Sequence, residues 1–509
     1  MTYAPLGYYL PMGTARTLGA PAPGAGRLQL LIGILIDWDN DHAFSGSNEW
    51  RWLVPGMLDI ERGREDFVRN DSKGFERIDK GKGTLTLDNS DGRYDPRNSA
   101  SPLYPYLLNK KERDIKIFVQ DGDGGTRYDL ITGRMVDFRN VNDTRGRKRL
   151  KVQFECAMRY LHYNKVNVDL QQNIDTDAAL TMALDAIGWP WGRALDAAVD
   201  TIPWWWVYNR SSYSEILDIA ESELGHFFVA ANGDATFKNR FYSDSDPLVL
   251  NGSQISPEII VSQPSETVKD KVILRIHPRI VQSSTTVWTM QDVPFFLANG
   301  GHKTFWPEFT YENRPVPIQN PLIQATTDYT MNANSNGSGA NLTTGFDVIF
   351  TPFGQGGKID VYNNSGTDGY ITLMKMRGEA LDSPDALRVQ SGEGENVMEI
   401  DLTWQQKAGS GQDNADYIYT FLSSPDKYFV TVSIEGNPAL QFSRDLFRWV
   451  DLTISSRGIS DMFRITKIKH QLVKRRVFRT TLWLEPTLSF AVSNETQLPF
   501  QLPARLGEP

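Results

Sequence analysis

Residues 74–96 read GFERIDKGKGTLTLDNSDGRYDP, and this stretch carries the strongest structural signal in the chain. Within it, Gly83–Leu87 alternates apolar and polar residues in the way that predicts a β-strand. The next residues, Asp88–Gly92, are rich in Asp, Asn and Gly, which bond their own backbone or adopt positive φ. Pro96 favours an extended conformation at Asp95. The stretch therefore predicts a strand that ends in a tight, structured corner.

The composition is that of a globular protein with large cores. The chain has 509 residues, of which 40% are hydrophobic and 11% aromatic. That length suits about three or four domains of roughly 150 residues each. Cys156 is the single cysteine, so the chain cannot form an internal disulfide. The formal net charge of −9 argues against a general nucleic-acid binder.

The N-terminal region shows no targeting or membrane signal. The longest apolar run, Leu28–Ile36, is about half the ~20 residues that a membrane-spanning helix needs, so it predicts a buried strand. Residues 1–27 lack the basic start and apolar core of a signal peptide. They are rich in Gly, Ala and Pro, which predicts a flexible N-terminal arm that orders on a neighbouring molecule.

Most of the chain alternates apolar and polar residues between turns rich in Gly, Asn and Asp, which is typical of a β-barrel or sandwich. Strands are predicted in the first third of the chain at 28–38, 83–87, 114–119, 130–139 and 150–156.

Three segments have a helical pattern instead. Apolar residues recur at helical spacing in Asp175–Ile187 and Ser212–Leu224, and a third helix is predicted from about Asn414 to Leu422. Ser212 and Glu215 fit a capping box, and Gly225 fits the position after the helix. The Asn232-Gly233 pair that follows predicts a β-hairpin.

The corner sequence TLTLDNSDGRYDP resembles the LTLDNSDGRFDP signature of phage tail hub proteins, also called minor tail or tail-tip proteins. Arg62-Gly63-Arg64 adds to the resemblance, since the family often has Gly-Arg at this place. The rest of residues 28–486 is similar in order and layout only. The resemblance implies a structural part of the virion tail tip, made in the cytoplasm of the bacterial host, rather than an enzyme.

The resemblance also implies an assembly. A homotrimer would close the distal end of the tail tube and open for DNA ejection, as a structural hub of the tail tip or baseplate. The implied partners are the distal tail protein and tail tube, the tape measure protein, and a tail fibre or receptor-binding protein. Phage DNA would pass through the lumen without specific binding.

The predicted fold class is mainly β with a small α+β module: two similar β-barrel hub domains plus intervening α+β and β domains. The predicted order is a flexible N-terminal arm (1–27), a first β-barrel hub domain (28–160), an α+β module (161–265), a β-rich middle domain (266–400) with a polar loop (331–340), a second β-barrel-like hub domain (401–496) and a C-terminal tail (497–509).

A weak internal repeat supports two similar barrels. Asp114–Ala157 and Trp449–Pro486 each read as strand, turn, strand, basic turn, strand. The middle strand of each contains Ile-Thr, at Ile131-Thr132 and at Ile465-Thr466. Two barrels per chain would give six per trimer, which lets a threefold object dock on a sixfold tube.

Acidic turns are the first candidates for metal chemistry. Asp37, Asp39 and Asp41 resemble the start of a calcium loop, but His42 stands where an EF-hand needs Gly and Asn48 where it needs Glu. A second acidic set, made of Asp88, Asp91 and Asp95, is already explained by turn chemistry. We therefore predict no metal site and no cofactor.

No catalytic motif is present, and we predict no enzyme activity and no catalytic residue. Cys156 lies on an alternating strand and is predicted to be a core residue. Two basic turns are predicted to meet acidic surfaces of adjoining tail proteins or solvent; they comprise Arg145, Arg147, Lys148, Arg149, Lys474, Arg475 and Arg476.

Two other functions remain open. A tryptophan cluster could form a sugar-binding platform, although a packed core or a subunit contact is the favoured interpretation; its members are Trp189, Trp191, Trp204, Trp205 and Trp206. Together with a pair of carboxylates, this cluster would suit a carbohydrate-binding or carbohydrate-active β-protein of the tail. The other alternative is the neighbouring distal tail ring protein.

Overall fold

The structure of the protein is a computed structural model. It describes residues 30–46, 48–52, 55–64, 77–78, 80–108, 112–122, 124–263, 268–424, 428–474 and 477–487. The predicted N-terminal arm and C-terminal tail lie outside these residues.

The first part of the chain is almost entirely β. Its elements are β1 (Leu30–Ile36), β2 (Trp50–Trp52), β3 (Met57–Gly63), β4 (Lys82–Asp88), α1 (Tyr104–Leu107), β5 (Asp114–Asp121), β6 (Arg127–Asn142), β7 (Lys148–Cys156) and α2 (Met158–Tyr163). The five predicted strands correspond to β1, β4, β5, β6 and β7.

The next part mixes helices and strands, as predicted for an α+β module. Its elements are β8 (Lys165–Asp175), α3 (Thr176–Ala186), β9 (Arg193–Leu195), β10 (Thr201–Ser211), α4 (Ser212–Ser222), β11 (His226–Val229), β12 (Ala235–Lys238), β13 (Leu248–Asn251) and β14 (Ile260–Ser262).

The middle of the chain returns to β structure. Its strands are β15 (Lys271–Ile276), β16 (Ile280–Val281), β17 (Thr285–Thr289), β18 (Phe295–Leu297), β19 (His302–Phe305), β20 (Thr310–Tyr311), β21 (Arg314–Pro315), β22 (Ile318–Leu322), β23 (Tyr329–Asn332), β24 (Phe346–Phe353), β25 (Gly356–Asn363), β26 (Gly369–Asp382), β27 (Leu387–Gly392) and β28 (Val397–Leu402).

The last part begins with a helix and ends in three long strands. Its elements are α5 (Ala408–Leu422), β29 (Phe429–Glu435), α6 (Pro438–Phe442), β30 (Trp449–Ile454), β31 (Ile459–Lys474) and β32 (Val477–Pro486). The protein is thus mainly β with few helices, and the predicted fold class is confirmed.

One 13-stranded sheet joins the two ends of the chain. Its order is β14-β29-β32-β31-β3-β4-β7-β6-β5-β1-β2, with β30 beside β31 and β13 beside β30. The strands from the N-terminal part and those from the C-terminal part meet where β3 pairs antiparallel with β31. The two segments of the predicted repeat lie on opposite sides of this junction.

Both repeat segments fold as antiparallel three-stranded meanders. β5, β6 and β7 pair in sequence, and so do β30, β31 and β32. The middle strand has 16 residues in each meander. The layout inferred from the sequence is therefore correct for both segments.

Within the described residues, four hydrophobic cores lie beneath these sheets. The largest packs β1 and β3–β7 against α2, α3 and α4, and a second lies under β13 and β29–β32. A third fills the middle of the chain around β26, along which β16, β17, β18, β22 and β23 pair. The fourth packs α5 on the sheet β27-β15-β28. None of the described helices has the length and apolar character of a bilayer span.

The end details of α4 differ from the prediction. Ser212 makes no capping bond, because its hydroxyl donates to Leu161 O at 2.5 Å while the buried Glu215 bonds other side chains. Leu224, with φ +60°, takes the left-handed position predicted for Gly225. Gly225 is needed for packing instead, since a Cβ there would lie 2.3 Å from the Phe237 ring.

The other local predictions are confirmed with shifts at the ends. The hairpin β11–β12 turns at Gly233, which has φ +103°. α5 begins at Ala408 rather than near Asn414, because Gly409 and Gly411 weaken the helical pattern in the sequence. Gly411 fits there because a Cβ would already lie 3.0 Å from Ile276.

Candidate functional site

The predicted corner after β4 is held by a closed ring of side-chain hydrogen bonds. The buried Asn89 accepts the Tyr94 backbone N–H on Oδ1 at 3.0 Å and donates from Nδ2 to Asn140 Oδ1 at 2.7 Å. Asn140 in turn donates to Tyr94 O at 2.7 Å. Gly92, with φ +66°, makes the turn that brings these groups together. The ring fixes the corner to the neighbouring strand β6.

Each carboxylate of the corner has a partner within the chain. Asp88 accepts from Arg149 at 2.8 Å, and Asp91 accepts the backbone N–H of Arg93 at 3.0 Å. Asp95 bonds the side chain and backbone of Arg97. The acidic residues therefore organise the turn and its neighbours, as turn chemistry predicts.

Tyr94 anchors the corner in the first core. Its side chain is buried and its ring lies 6.2 Å from that of Trp38, at the end of β1. Burial raises the pKa of Tyr94 to about 12, so the phenol stays neutral. The signature motif is a structural corner that connects strands β4, β6 and β1.

The β3–β31 junction carries a row of alternating charges on one face. Glu61 lies opposite Lys469 in β31 and Lys82 in β4, and Lys82 lies opposite Glu155 in β7. Lys467 also bonds Glu61 at 3.0 Å. Burial works to raise the pKa of Glu61, but the surrounding lysines outweigh it and lower that pKa. Opposite charges on facing strands stabilise this register.

Arg62 ties the junction to two other parts of the chain. Its guanidinium lies 2.7 Å from Asp445 and donates to Val229 O at 2.9 Å. Asp445 also accepts the Ala231 N–H at 2.7 Å. One buried side chain thus holds β3, the β11–β12 hairpin and the segment before β30 together.

Arg64 enters a buried ionic group in the C-terminal part. It donates to Glu485 Oε2 at 2.8 Å, and Glu485 Oε1 accepts from Arg464 Nε at 2.5 Å. The Arg464 guanidinium also lies 3.0 Å from His226 Nε2, and the His226 ring stacks on Phe447 at 4.4 Å. Burial and then Arg464 lower the pKa of His226 well below its usual value, so the imidazole is neutral.

Gly63, between these two arginines, allows the closest approach. Its φ is +98°, and a Cβ added there would lie 2.1 Å from Thr466 O in β31. The Arg62-Gly63-Arg64 sequence, which resembles the hub family, therefore has a physical role at the junction: the glycine permits contact and the arginines bond across it.

The Asp37 turn at the end of β1 gathers further acidic residues. Asp37 accepts backbone N–H groups from Asn40 at 2.5 Å and His42 at 2.9 Å, and burial raises its pKa to about 6. His42 bonds the buried Asp114 at 2.7 Å, and Arg134 Nε donates to the same carboxylate at 3.0 Å. Ligand atoms of Asp37, His42 and Asp114 lie within 4.8 Å of one another, but these bonds to the chain occupy them.

Glu49 lies beside the same turn. Its ligand atoms and those of Asp37 and Asp39 form a second close group. Gly46 N–H donates to Glu49 at 2.6 Å. Burial, with Asp39 as the largest of the nearby charges, raises the pKa of Glu49 to about 7. Two neighbouring carboxyls therefore have raised pKa values in this turn.

Most of the tryptophan cluster lies in the first core, and a packed core was one of the two interpretations that the sequence favoured. Trp189, Trp205 and Trp206 are buried, and Trp204 and Trp191 are partly buried against the same core. Trp205 donates to Glu215 at 2.9 Å. The three buried rings present no surface to a sugar.

Cys156 is a core residue, as predicted, whereas the first basic turn makes ion pairs within its own chain and its contact with adjoining proteins stays a prediction. Cys156 is buried, accepts the Gly81 N–H at 3.1 Å, and has its pKa raised by burial. Arg147 bonds Asp143 at 2.9 Å and Arg149 bonds Asp88, so this turn pairs its charges locally. Arg475 and Arg476 of the second turn lie outside the described residues.

The sequence did not reveal the partners of the arginine pair. These partners, Asp445 and Glu485, stand far from Arg62 and Arg64 along the chain, and neither lies in a recognisable motif. An acidic residue inside the apolar strand β32 was the one available signal for Glu485, which is buried.

Comparison with known proteins gives matches in structure alone. No protein-family model matches the chain, and no curated protein sequence matches it. The 43 kDa tail protein of prophage MuSo2 from Shewanella oneidensis is 8% identical, with a TM-score of 0.48, and 90% of this chain and 98% of that chain are covered.

Two other solved structures extend this likeness. The tail protein from Neisseria meningitidis MC58 is 10% identical, with a TM-score of 0.46 over 90% of this chain and 96% of that chain. The c3393 protein of E. coli, a type VI secretion component with structural similarity to the T4 tail proteins gp27 and gp5, is 8% identical, with a TM-score of 0.37 over 86% and 74%. Phage tail proteins are thus among the solved structures that the comparison found.

Proposed function

We propose that the chain is a structural hub protein of a phage tail tip or baseplate, a homotrimer that closes the distal end of the tail tube and opens for DNA ejection. The observation that carries the proposal is the single sheet in which two like meanders meet at the β3–β31 junction. The proposed role is mechanical, without a catalytic step and without a cofactor.

The two meanders support a symmetry adaptor. Each chain contributes two three-stranded groups with a middle strand of 16 residues. Three chains arranged around one axis would present six such groups, which matches a sixfold tube. A junction fixed by Arg62, Gly63 and Arg64 would hold the two groups of each chain in a constant relative position, as a rigid adaptor requires.

The proposed role places the alternating charges of the junction on the wall of the lumen, where they would favour passage of DNA without binding. Four charged residues lie side by side across four strands, in the order Lys469, Glu61, Lys82 and Glu155. Each positive charge therefore has an acidic neighbour. Strong binding of a polyanion needs unpaired basic groups. The proposed partners are the distal tail protein and tail tube, the tape measure protein, and a tail fibre or receptor-binding protein, all in the virion tail tip.

The oligomeric state tests this proposal. Light scattering of the purified chain should give about 172 kDa, three times the 57.5 kDa of one chain. A chain that is monomeric in solution should form trimers when tail tubes are added, and labelled chains should then be found at one end of the tube. Rings of six chains would instead indicate the distal tail ring protein. A monomer that does not bind tail tubes would contradict the hub assignment.

A further inference from the structure

The sheet β19-β25-β24 presents an unusual outer face in the middle of the chain. Residues that alternate towards this face include His302, Thr304 and Trp306 on the first strand and its extension. The Glu308–Gly356 bridge continues the same register, so Trp306 lies opposite Lys358. The inward residues, Ile359 and Val361 among them, fill the third core. The outer residues therefore do not contribute to this core.

Two aromatic pairs stand at the two ends of this face. Trp306 is 65% exposed, the largest exposure among the large hydrophobic side chains of the described residues, and its ring lies 5.7 Å from that of Phe353. At the other end, the rings of His302 and Tyr362 stack at 4.3 Å with an interplanar angle of 15°. Aromatic rings grouped at the surface, with polar residues beside them, are typical of a ligand-binding surface.

Polar groups held in fixed positions lie between the aromatic pairs. Asp360 accepts from Thr304 Oγ1 at 2.6 Å, lies 3.1 Å from His302 Nε2, and pairs with Lys358 at 2.7 Å. Lys358 and then Thr304 hold the pKa of Asp360 down to about 2, so this carboxylate is charged at all ordinary pH values. Asp360 is only 7% exposed and holds its neighbours in place, so the more exposed His302 and Lys358 are the groups that can bond ligand hydroxyls.

The sheet β19-β25-β24 that carries this outer face is fixed relative to β10. The tip of the β24–β25 hairpin contacts β10, where a Cβ on Gly354 would lie 2.9 Å from the Tyr208 side chain. Gly354 adopts φ +51° to make this approach. A surface that is already ordered loses little entropy when it binds a ligand.

We infer that this outer face binds a neutral glycan. Aromatic rings pack against the apolar C–H faces of sugar rings, and the polar groups between them can bond sugar hydroxyls. Charge argues against an anionic ligand, since Lys358 is paired with Asp360 and Asp347 is also exposed on this face. The inference does not depend on the proposed role in a tail.

Size argues against a protein partner on this face alone. Three strands and five positions along each cover roughly 15 Å by 15 Å, or on the order of 200 Å². A stable protein interface needs about 800 Å² from each partner. A few sugar rings fit the smaller area.

A glycan microarray of neutral hexose oligosaccharides, with uronic-acid and sialylated glycans as charged comparisons, tests the inference on the full chain. Binding to a neutral glycan is expected. Titration of that glycan should then show roughly tenfold or greater weakening in Trp306→Ala and in Tyr362→Ala. Phe296→Ala is the matched control, because Phe296 is 49% exposed on the separate strand β18, and its affinity should be unchanged.

Three results would overturn the inference: no binding to any neutral glycan, binding of charged glycans only, or neutral-glycan binding that survives Trp306→Ala. Circular dichroism should show native melting in both variants, since the altered rings are exposed. Self-association that Trp306→Ala abolishes, measured by sedimentation without glycan, would assign the face to contact between copies and would also overturn it.

Discussion

Gly63 lies so close to Thr466 that a Cβ added to the glycine would stand 2.1 Å from the threonine carbonyl oxygen. These two residues mark the place where β3 meets β31, and therefore where the N-terminal and C-terminal strands become one sheet. The contact requires a residue without a side chain and with positive φ. The stability of the junction can be tested through it.

Gly63→Ala should open the junction, because alanine adds both a steric clash and strain at φ +98°. We expect the free energy of unfolding to fall by about 3 kcal/mol or more. Hydrogen exchange should show lost protection in β3 and in Lys467–Gln471. The control is Gly122→Ala, where φ is +71° but no atom lies within 4 Å of the added Cβ, and a loss of about 1 kcal/mol is expected. Equal effects of the two variants would mean that close approach contributes nothing.

Asn89→Ala should loosen the motif corner, since it leaves the buried Tyr94 N–H and the Asn140 Oδ1 acceptor without their partner. A loss of about 2 kcal/mol is expected from urea denaturation. Ser90→Ala, one residue further along on the exposed turn, should cost less than about 0.5 kcal/mol. If Asn89→Ala has the same free energy of unfolding as the parent chain, the ring of hydrogen bonds does not hold the corner.

Glu485→Gln should be strongly destabilising, because it removes the buried carboxylate between the buried Arg64 and the partly buried Arg464. The expected cost is about 3–5 kcal/mol. Glu435→Gln on the neighbouring strand β29 is the matched control, since its pair with Arg479 is about 40% exposed on both sides. That control should cost less than about 1 kcal/mol. Thermal unfolding of both variants at one pH and salt concentration makes the comparison.

Glu49→Gln should stabilise the protein at high pH. The folded pKa of Glu49 is raised from 4.5 to about 7, so the folded state binds the proton more tightly than the unfolded state. Stability from this group is therefore full below pH ~4.5 and falls as the pH rises towards ~7. Glutamine keeps the acceptor for Gly46 N–H but carries no charge. Its free energy of unfolding, measured by urea denaturation, should exceed that of the parent at pH 8 by an amount on the order of 1 kcal/mol and equal it at pH 4. An advantage that is the same at both pH values would contradict the assigned pKa.

Calcium should leave the melting temperature unchanged. Asp37 accepts backbone N–H groups, Asp114 bonds His42 and Arg134, and Asp88 bonds Arg149, so a cation would have to replace existing bonds. A ligand that binds the folded state raises its apparent stability in proportion to its concentration over Kd. Melting curves with millimolar calcium and with chelator should therefore coincide. A rise that grows with calcium concentration would reveal a site.

The sequence by itself determined the local structure. A continuous apolar run predicted β1, alternating apolar residues predicted β4, β5, β6 and β7, and helical spacing predicted α3 and α4. Each of these patterns depends on neighbours within one element. The turn after β4 was also readable, since Asn, Asp and Gly act on their own backbone. The capping box predicted at Ser212 failed because of a tertiary contact: the Ser212 hydroxyl donates to Leu161 O instead of capping the helix.

The tertiary structure alone decided how the distant parts meet. Three features depend on which strands become neighbours. They are the pairing of β3 with β31, the bonds from Arg62 to Asp445 and from Arg64 to Glu485, and the outward position of Trp306. Strand pairing is made by backbone hydrogen bonds that any residue can form, so it leaves almost no mark in one sequence. A buried charge likewise shows its partner only when the chain has folded around it.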